Sequence, residues 1–592
     1  MYLPQVNEIP VQELNTNVFL GYNAKLKVQD GEFSLTKKMT LDEYPMVSTR
    51  KTHTVAATLT KPNGMLSKDR LAYVDGTTLY YNGNAVTLPA GVSLTDTAKI
   101  MVSMGAYICI FPDGVYYNTA DPTDAGYMGF NYTHNTATTQ ATFTPCLADG
   151  SPISMYLGED EPPSPTNGDY WMDTSTSPHT LKVYSGYLET WTEVVTVYTK
   201  ITIAGIDDFV KQYDGVDIAG ITYSDDYPTL KEQTEALNGT HIVYSVGDDY
   251  IVVQNILDET TEQDTGVITI TRKVPNMDYV IECNNRLWGC KYGLVGGKVV
   301  NEIYACALGD FKNWRQYLGT SADSYAVSIG AEGKFTGAIA YQGYPTFFKE
   351  GSIIRVYGNY PSNFQIVTSA QTGVADGAAK SLAIVGGLLY YAAKNEVMVY
   401  DGSAPRGISS DKLLDLKCTE AVAAGYRGKY IISNTSNVQP NVYVYDTDRG
   451  LWMRDGNKRM IYATATGEDD MYYVSSDKKL VQWSGTSGTS ETDEGWQVVL
   501  GRWGWQVTRK KFISRINILV QLSLNATATV AITYDNDNTA QNAGTITGTG
   551  SLKVYHMHII PHRCEYLRIS ISGTGDAKIL GVSRILEAVN DL

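Results

Sequence analysis

Short strands separated by tight turns recur between residues 279 and 485, at a spacing that few folds share. Strand-rich units begin at Gly337, Ser381, Ala421 and Met460, so the steps between them are 44, 40 and 39 residues. Periods of about 40–50 residues with several strands per unit are typical of β-propeller blades. A short meander cannot bury both of its faces alone, and a closed ring of such units solves this most economically. The spacing therefore predicts a propeller.

One unit illustrates the pattern. Leu382 to Val385 form an apolar run, Gly386-Gly387 supply a two-residue turn, and residues 388–393 and 396–400 continue as two more strands. Glycine pairs between apolar runs are strong hairpin signals. Two earlier units, 70–88 and 99–117, bring the total to about seven. Unrelated sandwich strands with similar turn spacing are the alternative, and the repeat period favours the propeller.

The composition agrees with a mainly β chain of several domains. At 592 residues the chain is long enough for about four domains. It contains 54 Gly and 43 Tyr against 20 Pro, a balance that favours turns between half-buried aromatic strands. We read no export signal and no membrane segment, and expect the seven cysteines to be reduced core thiols because no C-x-x-C motif is present.

We predict an all-β fold, namely a β-propeller with an inserted α+β domain and a C-terminal β-sandwich. The predicted boundaries are 1–127 for an N-terminal segment and the first blades, 128–277 for the insert, 278–485 for the remaining blades and 496–592 for the sandwich. Within the insert, a capping box of Thr229 and Glu232 predicts a helix over residues 230–237. The residues before Arg70 are candidates for a missing outer strand of the last blade.

Several segments together resemble a known family. They are Asp42 to Arg50, Asn285 to Gly289, Asn301 to Tyr304, Gly309 to Trp314 and Phe347 to Tyr357. This order, with an insert after the early blades and a terminal sandwich, resembles the tail hub or nozzle proteins (tail tubular protein B type) of short-tailed bacteriophages. The resemblance spans most of the chain at the level of pattern.

The resemblance implies a structural virion protein, made in the host cytoplasm and carried in the tail. Six copies would form a homo-hexameric ring around the DNA-ejection channel, joining a head-to-tail adaptor to tail fibre or distal tail proteins. The net charge of −16 agrees with DNA that passes without specific binding, because each cation on a phosphate adds affinity. An acidic surface is also an ordinary route to solubility.

A second resemblance lies inside the predicted insert, in the run from Pro163 to Ser175 followed by residues 181–191. It is similar to a small hairpin module common in phage tail and adhesin proteins. Trp171, Tyr184 and Trp191 could stack on a sugar or a partner chain, or could form the small core of the hairpin. If they bind glycans, the alternative function is a host-surface glycan-binding tail adhesin.

For chemistry, the sequence contains no P-loop, no H-E-x-x-H and no G-x-S-x-G. We therefore expect no enzyme, no cofactor and no metal. A propeller glycosidase using acidic pairs such as Asp207-Asp208 or Asp225-Asp226 is the weakest alternative. His556 and His558, two apart in a strand with His562 nearby, make only a weak zinc case.

Overall fold

The protein is described here by a computed structural model, which covers residues 11–588 except 415, 417, 419, 435–440, 457, 467–469, 485–488, 492–494, 505–509, 536 and 538. The chain is mainly β, as predicted, and its strands pair into many small antiparallel sheets. In the described part of the chain, no helix is long and apolar enough to cross a membrane. All seven cysteines are buried and none forms a disulfide.

The N-terminal segment contributes five strands that join other parts of the fold. They are β1 Val11–Thr16, β2 Phe33–Lys37, β3 Met39–Thr40, β4 Val47–Thr49 and β5 Thr54–Thr58. The first two blades follow, each a four-stranded antiparallel meander: β6 Pro62–Ser67, β7 Leu71–Asp75, β8 Thr78–Tyr81 and β9 Asn84–Ala85, then β10 Ile100–Met104, β11 Tyr107–Phe111, β12 Val115–Asn118 and β13 Ala125–Tyr127.

An α+β domain interrupts the blades here. Its strands are β14 Phe130–Asn135, β15 Ala141–Cys146, β16 Met155–Gly158, β17 Tyr170–Asp173, β18 Thr180–Ser185, β19 Thr190–Glu193, β20 Tyr198–Thr202, β21 Gly215–Ala219, β22 Gly239–Gly247, β23 Tyr250–Gln254, β24 Thr261–Gln263 and β25 Val267–Arg272. The eight-stranded sheet has the order β14-β25-β21-β22-β23-β20-β15-β24. A second, four-stranded sheet of β16 to β19 is inserted between β15 and β20.

The insert contains the helix that the sequence predicts, but the capping box is wrong. Helix α1 spans Pro228–Glu235 and begins two residues before the predicted start, with Tyr227 as its N-cap and no side-chain cap hydrogen bond. Pro228 lies in the first turn, where proline is favoured because its missing N–H has no helical partner and its φ is preset. Thr229 is therefore already inside the helix and cannot cap it. Single 3-10 turns occur at Ile206–Asp208, Pro361–Asn363 and Ala379–Ser381.

Five further blades complete the propeller, and each is again a short antiparallel meander. Their strands are β26 Tyr279–Cys283, β27 Arg286–Val295, β28 Lys298–Ala305 and β29 Tyr325–Ser328; β30 Gly337–Tyr341, β31 Tyr344–Lys349, β32 Ser352–Tyr357 and β33 Gln365–Ser369; β34 Ala383–Val385, β35 Leu388–Ala392, β36 Val397–Tyr400 and β37 Arg406–Gly407; β38 Val422–Tyr426, β39 Lys429–Asn434, β40 Asn441–Asp446 and β41 Leu451–Gly456; β42 Met460–Thr466, β43 Asp470–Ser475 and β44 Lys479–Gln482.

The seven blades close into a ring. The first strands of neighbouring blades contact each other from the first blade to the fourth and from the fifth to the seventh, and β42 of the last blade contacts β6 of the first. Blades four and five are joined by the Tyr341 hydroxyl, which lies 3.1 Å from the Gly387 carbonyl and 3.0 Å from the Tyr400 carbonyl. The last blade has only three strands of its own, and β5 pairs with β44 as its outer strand, Val55 opposite Val481. The predicted contribution of residues before Arg70 is confirmed.

Strand β45 Thr489–Ser490 pairs with β5 at the edge of the last blade. The remaining strands build a β-sandwich: β46 Trp496–Leu500, β47 Lys511–Leu522, β48 Thr527–Tyr534, β49 Gln541–Thr547, β50 Leu552–Met557, β51 Leu567–Thr574 and β52 Ala577–Ala588. One sheet has the order β3-β4-β52-β47-β50, with β1 also on β52, and the other has the order β2-β46-β51-β48-β49. In β48, buried and half-buried residues alternate, as expected where one face packs on a core. Both ends of the chain therefore share one core.

Candidate functional site

The small sheet inside the insert carries the sequence-predicted contact residues, and we call residues 155–193 the hairpin module. Strand β16 runs parallel to β17, and β17, β18 and β19 form an antiparallel meander. The turn before β17 is held by Asp169, whose carboxylate accepts hydrogen bonds from the amide and hydroxyl of Thr166. Gly168 has φ of +94° in this turn, a conformation that glycine adopts without strain.

The structure brings the three predicted aromatic residues together on one face of the module. Trp171 and Trp191 meet edge to face with ring centroids 5.5 Å apart, and Tyr184 lies 5.2 Å from Trp191. Trp171 is buried, with its indole N–H donating to the Gly158 carbonyl at 2.9 Å, whereas Tyr184 and Trp191 are half-buried. Ring pairs of this geometry stabilise a short sheet, and the outer rings keep part of their surface open to solvent.

A charge pair borders this aromatic cluster. The Lys182 ammonium lies 4.6 Å from the Trp171 ring centroid and 2.7 Å from a carboxylate oxygen of Asp173. Hydrogen bonds from Lys182 and Ser175 lower the pKa of Asp173 to about 2. The face therefore presents aromatic rings beside a neutralised ion pair, a surface suited to stacking and hydrogen bonding and unsuited to holding a bare anion.

The module also projects apolar residues that the sequence analysis did not single out. Tyr187 is 92% exposed and Leu188 is 64% exposed, both in the turn between β18 and β19. The available signal was two large apolar residues directly after Gly186 at a hairpin turn, where polar residues are usual. Both side chains lie outside the module core and are open to solvent.

Charged contacts at the base of the insert hold its own strands together and link it to the third blade. The Arg272 guanidinium donates to Asp214 at 2.6 Å and to the Met128 carbonyl. Burial raises the pKa of Asp214 despite the neighbouring Arg272 charge. From the third blade, Arg315 donates to Asp217 at 2.6 Å. The half-exposed Arg315–Asp217 pair therefore joins the insert to the third blade, whereas the buried Arg272–Asp214 pair lies within the insert.

The weaker candidates from the sequence lie apart from the module. His556 contacts the Asn517 side chain at 2.7 Å, and the His562 ring packs on Tyr534. Asp225 is paired with Lys231, and Asp207 accepts the Asp249 amide hydrogen. Within the described ranges, no group of three or more His, Cys, Asp or Glu side chains is arranged to hold a metal ion.

Comparisons with known proteins leave the family open. No family model and no curated protein matches the chain. Similar solved structures include an exo-β-1,3-galactanase from Phanerochaete chrysosporium (7% identity, 51% of this chain and 94% of that chain, TM-score 0.22) and a family 43 arabinoxylan arabinofuranohydrolase from Bacillus subtilis (10%, 53% and 95%, 0.17). PorZ, a surface component of the type-IX secretion system of Porphyromonas gingivalis, is another (10%, 84% and 75%, 0.27).

Glycoside hydrolases among these structures contradict the expectation that the chain is not an enzyme, and that expectation is withdrawn. Identities of 7–12% and TM-scores of 0.27 or less carry no argument for any particular activity. The propeller assignment rests on the strand pairing of this chain itself.

Proposed function

We propose that this chain is a structural virion protein of a bacteriophage tail, a hub or nozzle that forms a ring around the DNA-ejection channel. The observation that carries the proposal is the order of its parts. A closed propeller is interrupted after its second blade by an α+β domain and is joined to a terminal sandwich. The resemblance to tail hub proteins implies this same order, including an insert after the early blades.

The partners follow from that role. Six copies would form the ring, with a head-to-tail adaptor on one side and fibre or distal tail proteins around it. The net charge of −16 supports passage of DNA without binding of its phosphates by cationic side chains. The hairpin module, with Tyr187 and Leu188 exposed, is a surface that a neighbouring tail protein could cover.

Electron microscopy of purified virions labelled with an antibody to this chain tests the proposal. We expect label on the tail, and a sixfold ring with a central hole in averaged images of the released tail. An antibody to the major capsid protein, which should label only the head, is the control. Absence of the chain from purified virions by mass spectrometry would refute the hub function.

A second candidate function, a glycan-binding tail adhesin, is favoured by the exposed aromatic surface of the module. Tyr187 is largely exposed, and the half-buried Trp191 offers part of its ring. Binding of the full-length protein to host cells should fall when both residues are changed to Ala. Tyr227→Ala, in which another exposed tyrosine of the insert is removed, should bind like the unmodified protein. Equal binding by all variants would contradict a role of the module surface.

A further inference from the structure

A cleft of about 600 Å³ lies between the hairpin module and the main sheet of the insert. Its volume is in the range of small-molecule sites. One wall comes from the module and the segment that leaves it, and the other comes from β22, β23 and the residues after β23. Its lining includes His179, Leu181 and Glu193 on the module side, Ile242 and Gln254 on the sheet side, and Tyr317 from the third blade.

A histidine joins the two walls. His179, in the loop before β18, places Nδ1 2.8 Å from a carboxylate oxygen of Asp258 on the body of the insert. Asp258 is buried, and its other oxygen accepts a hydrogen bond from the Gln233 side chain at 2.9 Å. Because the carboxylate is the acceptor, the ring proton is placed on Nδ1.

In the neutral ring this arrangement leaves Nε2 of His179, a residue of the cleft lining, as a hydrogen-bond acceptor. Among the described residues Nε2 has no hydrogen-bond partner. The second bond of Asp258 fixes the ring from behind, as outer partners do for binding-site histidines. The cleft thus holds an oriented acceptor suited to a ligand hydroxyl.

The rest of the lining defines the class of ligand. Apolar side chains, including Leu181, Ile242 and Ile256, lie beside neutral hydrogen-bonding groups such as Gln254 and the Tyr317 hydroxyl. Glu193 is the one carboxylate of the lining, and the lining includes neither lysine nor arginine. A phosphate or a polyanion would find no cation here. A ligand with apolar C–H faces and many hydroxyls fits this lining, because its C–H faces can pack on the apolar side chains and its hydroxyls can bond to the neutral polar groups.

We propose that this cleft binds a neutral oligosaccharide, with a ligand hydroxyl donating to Nε2 of His179 and the sugar faces packing on the aliphatic wall. The proposal rests on the glycan-binding candidate function and assigns the sugar to the cleft in place of the aromatic face. A hydroxyl paired with an oriented acceptor gives specificity, since an analogue without it leaves the acceptor unpaired.

The test uses the full-length protein on an array of neutral and anionic bacterial and plant oligosaccharides, followed by calorimetric titration of the best-bound member. Val195→Trp places an indole at an 86% exposed rim position of the cleft. His179→Phe keeps a flat ring and removes the acceptor. We expect a neutral oligosaccharide to bind. His179→Phe should weaken binding by about tenfold to a hundredfold because a ligand hydroxyl loses its acceptor, and Val195→Trp should weaken it by a similar factor because the indole obstructs the cleft.

Leu524→Trp, at a 72% exposed position of the sandwich, is the matched control and should bind normally. Unchanged binding by both Val195→Trp and His179→Phe would overturn the cleft site. If Trp191→Ala then abolished binding, the ligand would lie on the aromatic face, and the adhesin function would stand without the cleft. Binding of no oligosaccharide by the unmodified protein, or of anionic ones alone, would overturn the cleft proposal, whereas the hub function is judged separately by microscopy.

Discussion

Arg50 lies where the chain crosses from the sandwich to the propeller, and its replacement tests what holds these parts together. Its guanidinium is paired with Asp455 in the sixth blade and lies 2.7 Å from Glu491, which directly follows β45 where the chain returns from the propeller to the sandwich. The three side chains are 9%, 9% and 5% exposed. Arg50→Met keeps most of the volume and removes the charge, which leaves two carboxylates in a buried site.

Breaking a buried pair by removing one partner costs about 3–5 kcal/mol. Lys38 and Lys458 remain 3.8 and 3.7 Å from Glu491, so we expect a cost of about 3 kcal/mol, at the lower end of that range. Because a chain of several domains need not unfold in two states, hydrogen exchange of β5 and β46 amides is the primary assay. A loss of that size speeds exchange through local opening by about a hundredfold.

The pH dependence gives an independent check. Burial raises the pKa of Glu491, but the hydrogen bond and charge of Arg50 outweigh it and hold the pKa below its usual 4.5. A lowered carboxylate pKa stabilises the fold above pH 4.5, and this contribution is lost as pH falls through the lowered value. In Arg50→Met burial acts with less opposition, so the deficit should be largest near pH 7 and shrink towards pH 4. Exchange and melting equal to the unmodified protein at pH 7 would refute the reasoning, and Arg50→Met with Asp455→Asn and Glu491→Gln should recover most of the loss.

Three further changes test other parts of the structure. Val55→Pro in the closing strand should cost about 3 kcal/mol and lower the calorimetric melting temperature of the propeller, whereas an unchanged melt would mean that β5 does not close the ring. Trp452→Ala removes a ring that is 1% exposed and donates to the Ile408 carbonyl, so urea unfolding should show a loss of about 3–5 kcal/mol. Lys182→Met should raise the pKa of Asp173 from about 2 towards 3.8, which carboxyl NMR would measure. A lowered carboxylate pKa stabilises the module above pH 3.8, and that stabilisation is lost on acidification. The variant should therefore lose less stability between pH 4 and pH 2 than the unmodified protein does.

The blades were predictable from the sequence because turn-forming residues close to one another in the chain mark where each strand of a blade ends. The unit around Gly386-Gly387 folds as expected, with β34 ending at Val385 and β35 starting at Leu388. Both glycines have positive φ, at 58° and 80°, which is what a two-residue hairpin requires. Alternation and turn residues at fixed offsets are visible within ten residues, so such meanders can be read without an alignment.

Pairings between distant segments were not predictable in the same way. Strand β1 pairs with β52, with Val11 opposite Glu587. The sequence around either strand does not indicate which distant strand it pairs with. The sandwich was therefore assigned to the C-terminal residues alone, whereas β1 to β4 complete its two sheets. In the site, the aromatic cluster was visible as residue types, but the His179 to Asp258 contact joins a module loop to a loop 79 residues later and has no sequence signature.

The same N-terminal segment completes two separate sheets, and this couples ring closure to the sandwich. Strand β4 ends at Thr49 on β52, and β5 starts at Thr54 on β44, so only four residues separate the two roles. Each of these strands therefore waits for a partner more than 400 residues later in the chain, β44 for the last blade and β52 for the sandwich. The insert has a core of its own between the second and third blades and needs neither chain end. A chain in this order can fold its insert first, can close the propeller only once β44 is present, and can complete the sandwich only once β52 is present.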